Sequence, residues 1–442
     1  MGAHAGFDMV PPLSKGADDV QDWTGEHPRL PFEGHKFRRF SSKITGSTAT
    51  STNVDQYISM VTSMAKMIFG YRVQTWNELA DQLGFYGWDE VYSMMETWDK
   101  PDEAKPDSPD LTTAEQGQQA APSLRPDLFE VQQIPGKGRG LVALSDIAKG
   151  TRIISESPLF TTANMAPPNL QEAVASKLKA LSKEQQRQFL SLHNNFPGRN
   201  AFAGIFRTNA LPCGCDAIAG GIYPTICLIN HSCLPNAHNN WNSEHKLETI
   251  HAIKPIKAGE EITIDYSRGD PSSVRHEQLR EAFGFDCQCT VCSRPQQELK
   301  LSDARRREIQ SLDDNIGNPT RMLSHPCASL ADCRSLLRLS KEEYGETGVV
   351  LEMRLYYDAF QISAAHSDRT RASAFAERAY RARVICEGED SPVTQQMKRF
   401  VENPALHSTF GCYSTKWKGS NKFSPSSLSP TEFEAWLWRH AK

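Results

Sequence analysis

Cysteine is missing from the whole stretch before Cys213, and no apolar run approaches the roughly 18 to 20 residues of a membrane-spanning helix. The N-terminal residues lack a basic segment followed by an apolar one, so an intracellular protein is expected and no membrane partner. Surplus positive charge is lacking too. The 49 Lys and Arg face 53 Asp and Glu, a formal net charge of −4. That balance excludes wholesale electrostatic binding of nucleic acid, and no direct nucleic-acid contact is expected. No clear fixed-period repeat emerges, although one pair of helical segments resembles a unit of a helical repeat. An uneven, odd set of 11 cysteines is not the framework of a small secreted disulfide scaffold.

What is present is a chain of 442 residues, 39% hydrophobic, enough for a sizeable core and about three structural units. Residues 1–52 are rich in Gly, Ser, Thr and Pro without a hydrophobic period, and read as disordered. Over 53–98, Ile58, Val61, Met64, Ile68 and Tyr71 recur at three and four, which predicts short helices. A linker dense in Pro and Asp follows over 99–127. From Leu128 the runs LFEVQQI, GLVALSDI, GTRIISESPLF, KLETIHAIKPI and EEITIDY predict strands, with a helical insert at about 165–205 in which Ser182 and Gln185 are spaced as a capping box. Beyond Pro295 the pattern is helical to about residue 410. Leu351, Leu355, Ala359 and Ile362 mark one helix, and Ala372, Phe375, Ala379, Ala382 and Cys386 a second, with Asp368 and Gly388 placed to cap it. Arg305, Arg306 and Arg307 form only a short basic run, not a targeting cluster. The tail 411–442, with its FEAWLWRH ending, has no local pattern that assigns it.

Seven of the 11 cysteines lie between Cys213 and Cys292. Cys287, Cys289 and Cys292 form C-x-C-x-x-C, and three thiolates so close repel one another unless a cation holds them. Zinc takes four ligands in structural sites, which makes Cys233 the candidate fourth. Cys213 and Cys215, in P-C-G-C, are a pair of turn residues or a second metal site. The run Asn230-His231-Ser232-Cys233 is, taken alone, either a hydrogen-bonded structural element or a catalytic one. Tyr266 closes the strand GEEITIDY, where packing and chemistry are both open.

Taken in order, PGKGRG, INHSCLPN, GEEITIDY and FGFDCQCTVC resemble the SET-domain protein lysine methyltransferases: the family's Gly-rich loop, its N-H-S-C segment, its E-x-T-x-x-Y strand and its cysteine-rich post-SET element. YPTICLINHSC and FDCQCTVC are most similar to the SMYD branch and to fungal Set5-type proteins. The SMYD branch carries a zinc-binding MYND finger after the segment matching SESPLF. No cysteine occurs here between Phe160 and Cys213, so that finger is absent and the likeness moves toward the Set5 type.

The resemblance implies an α+β fold: a β-rich SET domain over 128–268 with knot-like C-terminal threading, a zinc-bound post-SET segment over 269–295, and a helical C-terminal domain over 296–410. It implies methyl transfer from S-adenosylmethionine (AdoMet) to lysine in a histone or other basic protein, in nucleus or cytoplasm. It assigns Lys137, Gly138 and Arg139 to the cofactor's amino acid end, Asn230 and His231 to the cofactor site, and Phe285 to its adenine. By the same resemblance Phe283 and Tyr223 would line the lysine channel, with Tyr266 and Tyr223 the catalytic candidates and Tyr266 placed where cofactor and channel meet. The other class in view is a catalytically silent SET scaffold that binds partners through its helical part. Pseudoenzymes usually lose the Asn-His pair, the terminal tyrosine or the glycine loop, and this chain keeps all three.

Overall fold

A computed structural model describes residues 123–163, 165–214, 219–267, 269–419 and 425–439, all within one compact unit. The expectations for residues 1–122 and for Cys215 fall outside the described residues. Among the described residues no helix is long and apolar enough to cross a membrane.

Eleven strands build three small sheets among the described residues. The first has the order β1 (Ser123–Leu124), β4 (Arg152–Glu156), β10 (Leu247–Ala252) and β9 (Ala237–Asn242), antiparallel throughout. Its strand β1 lies at the end of the stretch that reads as linker, and pairs with Ser155 and Ile154. The second has the order β2 (Phe129–Ile134), β3 (Gly138–Ala143), β11 (Glu261–Ile264) and β8 (Asn230–His231). Here β11 pairs antiparallel with β3 and parallel with β8. The third is β5 (Phe160–Ala163), β7 (Ala219–Ile222) and β6 (Leu211–Pro212). Leu141, Ile153, Ile154, Ile250, Ile256 and Ile262, all fully buried, belong to one core to which strands of both of the first two sheets contribute.

Three helices stand between β5 and β6: α1 (Pro167–Ala180), α2 (Lys183–Leu190) and α3 (Ala201–Asn209). Leu170, Val174 and Leu178 recur every fourth residue and bury one face of α1 against Phe160, Phe189 and Phe206. Ser182 and Gln185 form the capping box that opens α2.

The C-terminal part is helical: α4 (Ser272–Phe283), α5 (Gln296–Ile316), α6 (Pro319–Ser324), α7 (Pro326–Tyr344), α8 (Val349–Ala365), α9 (Arg369–Glu387), α10 (Pro392–Glu402) and α11 (Pro430–Leu437). Leu355, Ala359 and Ile362 of α8 meet Ala372, Phe375 and Ala379 of α9 in one core, the small residues letting the helices close up. Asp368 caps α9 by accepting from the Arg371 amide, and Gly388 ends it with φ 84°. The segment without a local pattern is docked: Trp417, Leu437 and Trp438 are buried in the same core, and the Arg371 and Arg439 guanidinium groups stack on Trp436 and Trp417. Arg306 belongs to no surface cluster. It is buried with Glu343 at 2.7 Å, and its guanidinium donates to the Gly269 carbonyl.

Candidate active site and cysteine cluster

Strand pairing explains how motifs far apart in the chain meet. The PGKGRG turn joins β2 to β3, with Gly136 and Gly138 at φ 73° and 74°, a conformation side chains with a Cβ rarely adopt. Strand β11 lies beside β3, and β8 beside β11, so that Thr263 faces Asn230 and Ile264 faces His231. The glycine turn, the Asn-His pair and the segment leading to Tyr266 therefore share one sheet.

Asn230 donates from Nδ2 to the Arg139 carbonyl (3.1 Å) and to Glu261 Oε1 (2.9 Å), while Lys137 Nζ reaches Glu261 Oε2 at 2.6 Å. Glu261 thus ties the glycine turn to β8 with both carboxylate oxygens. Arg139 donates to the carbonyl and hydroxyl of Ser191, just past α2. Neither cation of the turn is simply solvated. At Gly140 a Cβ would lie 2.6 Å from Ile134 and 2.7 Å from Asn230 Nδ2, so the backbone approaches Asn230 as only glycine allows. Asn236, buried at the end of INHSCLPN, accepts from the Thr263 amide (2.8 Å) and donates to the Glu261 carbonyl (2.9 Å), locking β11 in register.

His231 is buried, which pushes its pKa down, an effect partly opposed by Asp265. The ring is neutral, and Nδ1 accepts the Tyr266 amide at 2.9 Å. The proton therefore resides on Nε2, 3.3 Å from Cys233 Sγ. One imidazole joins the terminal tyrosine to a cysteine of the cluster.

Tyr266 lies with its ring centroid 5.4 Å from His231 and 4.7 Å from Phe283. Burial raises its pKa above the ordinary value, which keeps the hydroxyl protonated near neutral pH, and it donates to the Ile229 carbonyl. Phe285 is 6.1 Å from His231. Between the two phenylalanines Gly284, at φ 73°, ends α4; a Cβ there would collide with Asn195. Tyr223 is fully buried in the core that Tyr266 borders, and its hydroxyl lies 3.5 Å from Cys213 Sγ.

Cys233, Cys287, Cys289 and Cys292 place their sulfurs within 4.8 Å of one another, with Cys233 3.6 Å from Cys292 and 3.9 Å from Cys287. In a tetrahedral thiolate site with metal–sulfur bonds of about 2.3 Å the sulfurs stand about 3.8 Å apart. The quartet can hold such an ion. The guanidinium of Arg275, a fully buried residue, reaches Cys292 Sγ at 3.7 Å and supplies positive charge beside the thiolates. Phe283 and Phe285 pack against this cluster, as does Tyr266.

Of the residues singled out by sequence, Lys137, Gly138, Arg139, Asn230, His231 and Tyr266 lie on or beside one sheet. Phe283 and Phe285 sit beside the His231–Tyr266 pair. Glu261 and Asn236 carry no role in the sequence reading, although both lie inside quoted motifs. Glu156, which ends β4, also carries no role in the sequence reading, although it lies inside the quoted strand run GTRIISESPLF.

The SET domain family matches residues 138–267. "Histone-lysine N-methyltransferase set5" of Schizosaccharomyces pombe is 34% identical over 286 residues, covering 64% of this chain and 86% of the relative. "Histone-lysine N-methyltransferase SMYD3" of Mus musculus is 30% identical over 155 residues, 34% of this chain and 36% of that protein. "Histone-lysine N-methyltransferase SET5" of Saccharomyces cerevisiae is 39% identical over 100 residues, 22% of this chain and 18% of that one.

Proposed function

The chain belongs to the SET-domain lysine methyltransferases, which use AdoMet as methyl donor, and we propose that it transfers the methyl group where Tyr266, Asn230 and His231 converge. The acceptor in this reading is lysine of a histone or other basic protein, as the names of its relatives suggest, in nucleus or cytoplasm. The observation that carries the reading is the single sheet in which β3, β11 and β8 unite the glycine turn, the Asn-His pair and the terminal tyrosine.

Bound AdoMet supplies a methyl group on a cationic sulfonium, open to in-line displacement. The backbone cradle at Gly136–Gly140, free of Cβ atoms at its glycines, and the neighbouring Asn230 amide suit its amino acid end; Lys137 and Arg139 add positive charge for the carboxylate. His231 and Phe285 would flank the adenine. Lysine has an ordinary pKa near about 10.4 and must lose its proton before attack. The apolar surroundings supplied by Phe283, Tyr223 and the Tyr266 ring favour the neutral amine. The Tyr266 hydroxyl, its proton committed to the Ile229 carbonyl, keeps its oxygen lone pairs free to accept from that amine and aim its nitrogen. Catalysis is then chiefly positioning.

The same reading assigns the cysteine quartet to structural zinc. That ion would fasten Cys233, next to the cofactor residues, to the segment carrying Phe283 and Phe285. It divides the chain into a SET domain over 128–268, a post-SET segment over 269–295 and a helical domain over 296–410. The parallel pairing of β8 with β11 is in keeping with a C-terminal segment threaded beneath a loop.

Transfer of labelled methyl from AdoMet to core histones and to cell extract, by wild type and Tyr266→Phe, tests the reading. Label with wild type and a loss of at least about tenfold in the variant is expected. Equal labelling by both would remove Tyr266 from the chemistry. AdoMet binding without label on any protein would reject the acceptor class.

A further inference from the structure

The turn that supplies the acceptor for the Tyr266 hydroxyl is itself short of hydrogen-bond partners at its start. Ile226–Leu228 is a single tight helical turn, and Thr225 at its cap position makes no side-chain cap. Its first amides need an acceptor from outside. Glu156, at the end of β4 and 69 residues away, provides it: Thr225 N donates to Oε1 (3.0 Å) and Oε2 (3.2 Å), and Ile226 N to Oε2 (2.9 Å). Beyond the turn, Ile229 offers its carbonyl to Tyr266, and Asn230 and His231 follow at once. Before it lies Tyr223, whose carbonyl accepts the Cys227 amide. A single carboxylate anchored in the first sheet therefore holds the segment from which the second sheet takes its active-site edge.

We propose that Glu156 is a positioning residue for methyl transfer, fixing the 225–229 turn so that the Ile229 carbonyl orients the Tyr266 hydroxyl. The proposal rests on the reading of Tyr266 given above. Glu156 touches neither the hydroxyl nor the Asn-His pair; it acts through two backbone amides and one carbonyl. Glutamine at this position keeps the volume but turns one acceptor into a donor facing amide donors, and so loosens the turn.

The test is a double-mutant cycle with Glu156→Gln and Tyr266→Phe, measuring kcat and KM on full-length protein with AdoMet and core histones. Glu156→Gln is expected to lower kcat about tenfold, with KM for AdoMet and metal content near wild type, because a small misplacement at the reacting centre is costly. In the Tyr266→Phe background the same change should cost little further. Additive losses, or an unchanged kcat in Glu156→Gln while Tyr266→Phe is impaired, overturn this proposal and leave the Tyr266 reading standing. An unimpaired Tyr266→Phe overturns both. Amide hydrogen exchange on the wild type needs no variant to fold: the Thr225 and Ile226 amides should exchange as slowly as those of Cys227 to Ile229. Exchange at the rate of open loops would show that the carboxylate does not hold them.

Discussion

Glu248→Gln should gain stability relative to wild type as pH rises. Glu248 sits on β10 between Trp241 of β9 and Glu156 of β4 and is 0% exposed. Oε1 accepts from Asn239 Nδ2 at 3.0 Å, and Oε2 has no partner. Burial pushes its pKa from the ordinary 4.5 up to about 8. Below pH 4.5 the group is protonated in both folded and unfolded chains and costs nothing. Above it the unfolded chain releases the proton while the folded one retains it, so stability falls with rising pH until about pH 8. At about 1.36 kcal/mol per pH unit the loss is under about 1 kcal/mol at pH 5, about 3 at pH 7 and about 5 above pH 8. Glutamine keeps the Asn239 bond, carries no charge and escapes this penalty. Urea unfolding of metal-loaded wild type and variant at pH 5, 7 and 8.5 measures the difference. A gap that widens with pH by these amounts supports the reasoning. A gap independent of pH, or a variant losing stability equally throughout, would refute a protonated buried carboxyl.

Two further predictions concern the candidate site. Gly140→Ala places a Cβ 2.7 Å from Asn230 Nδ2 and 2.6 Å from Ile134, so the side chain of Asn230 must retreat. AdoMet affinity, read by calorimetry, should fall about tenfold with stability down by about 1–3 kcal/mol; unchanged affinity would separate Asn230 from cofactor binding. Cys287→Ser should lower both bound metal, read by elemental analysis, and AdoMet affinity, because the cluster packs with Phe283 and Phe285, which sit beside the His231–Tyr266 pair. Normal AdoMet binding by metal-free protein would break that link.

The legible parts of the fold are those whose pattern is local. Strands β2, β3, β10 and β11 lie within runs that alternate or are apolar, and α8 and α9 follow from residues at spacings of three and four. Strand β9, with the sequence AHNNWN, is too polar to read as a strand. It is held by six register pairs with β10 and by the bond from Asn239 to Glu248. The docking of Trp417 and Trp438 was equally hidden, since it depends on a core built from helices much earlier in the chain. At the candidate site, C-x-C-x-x-C announced three cysteines, whereas Cys233 is 54 residues from Cys287 and could be named only because four ligands were needed. Glu261 grips Lys137, 124 residues away, and Glu156 grips Thr225, 69 away. No periodicity marks a carboxylate whose partners are backbone amides or distant side chains.

The parallel pairing of β8 with β11 also constrains how the protein is made. As the chain leaves the ribosome, β2 and β3 can close into a hairpin at once, since only a short turn separates them. The other half of that sheet must wait. Strand β8 has no paired strand until β11 has been synthesised, and the cysteine quartet is incomplete until Cys292 emerges. Contacts of such long sequence separation form slowly and leave strand edges open meanwhile. Asn230, His231 and Cys233 therefore pass through synthesis as an unpaired, thiol-bearing segment.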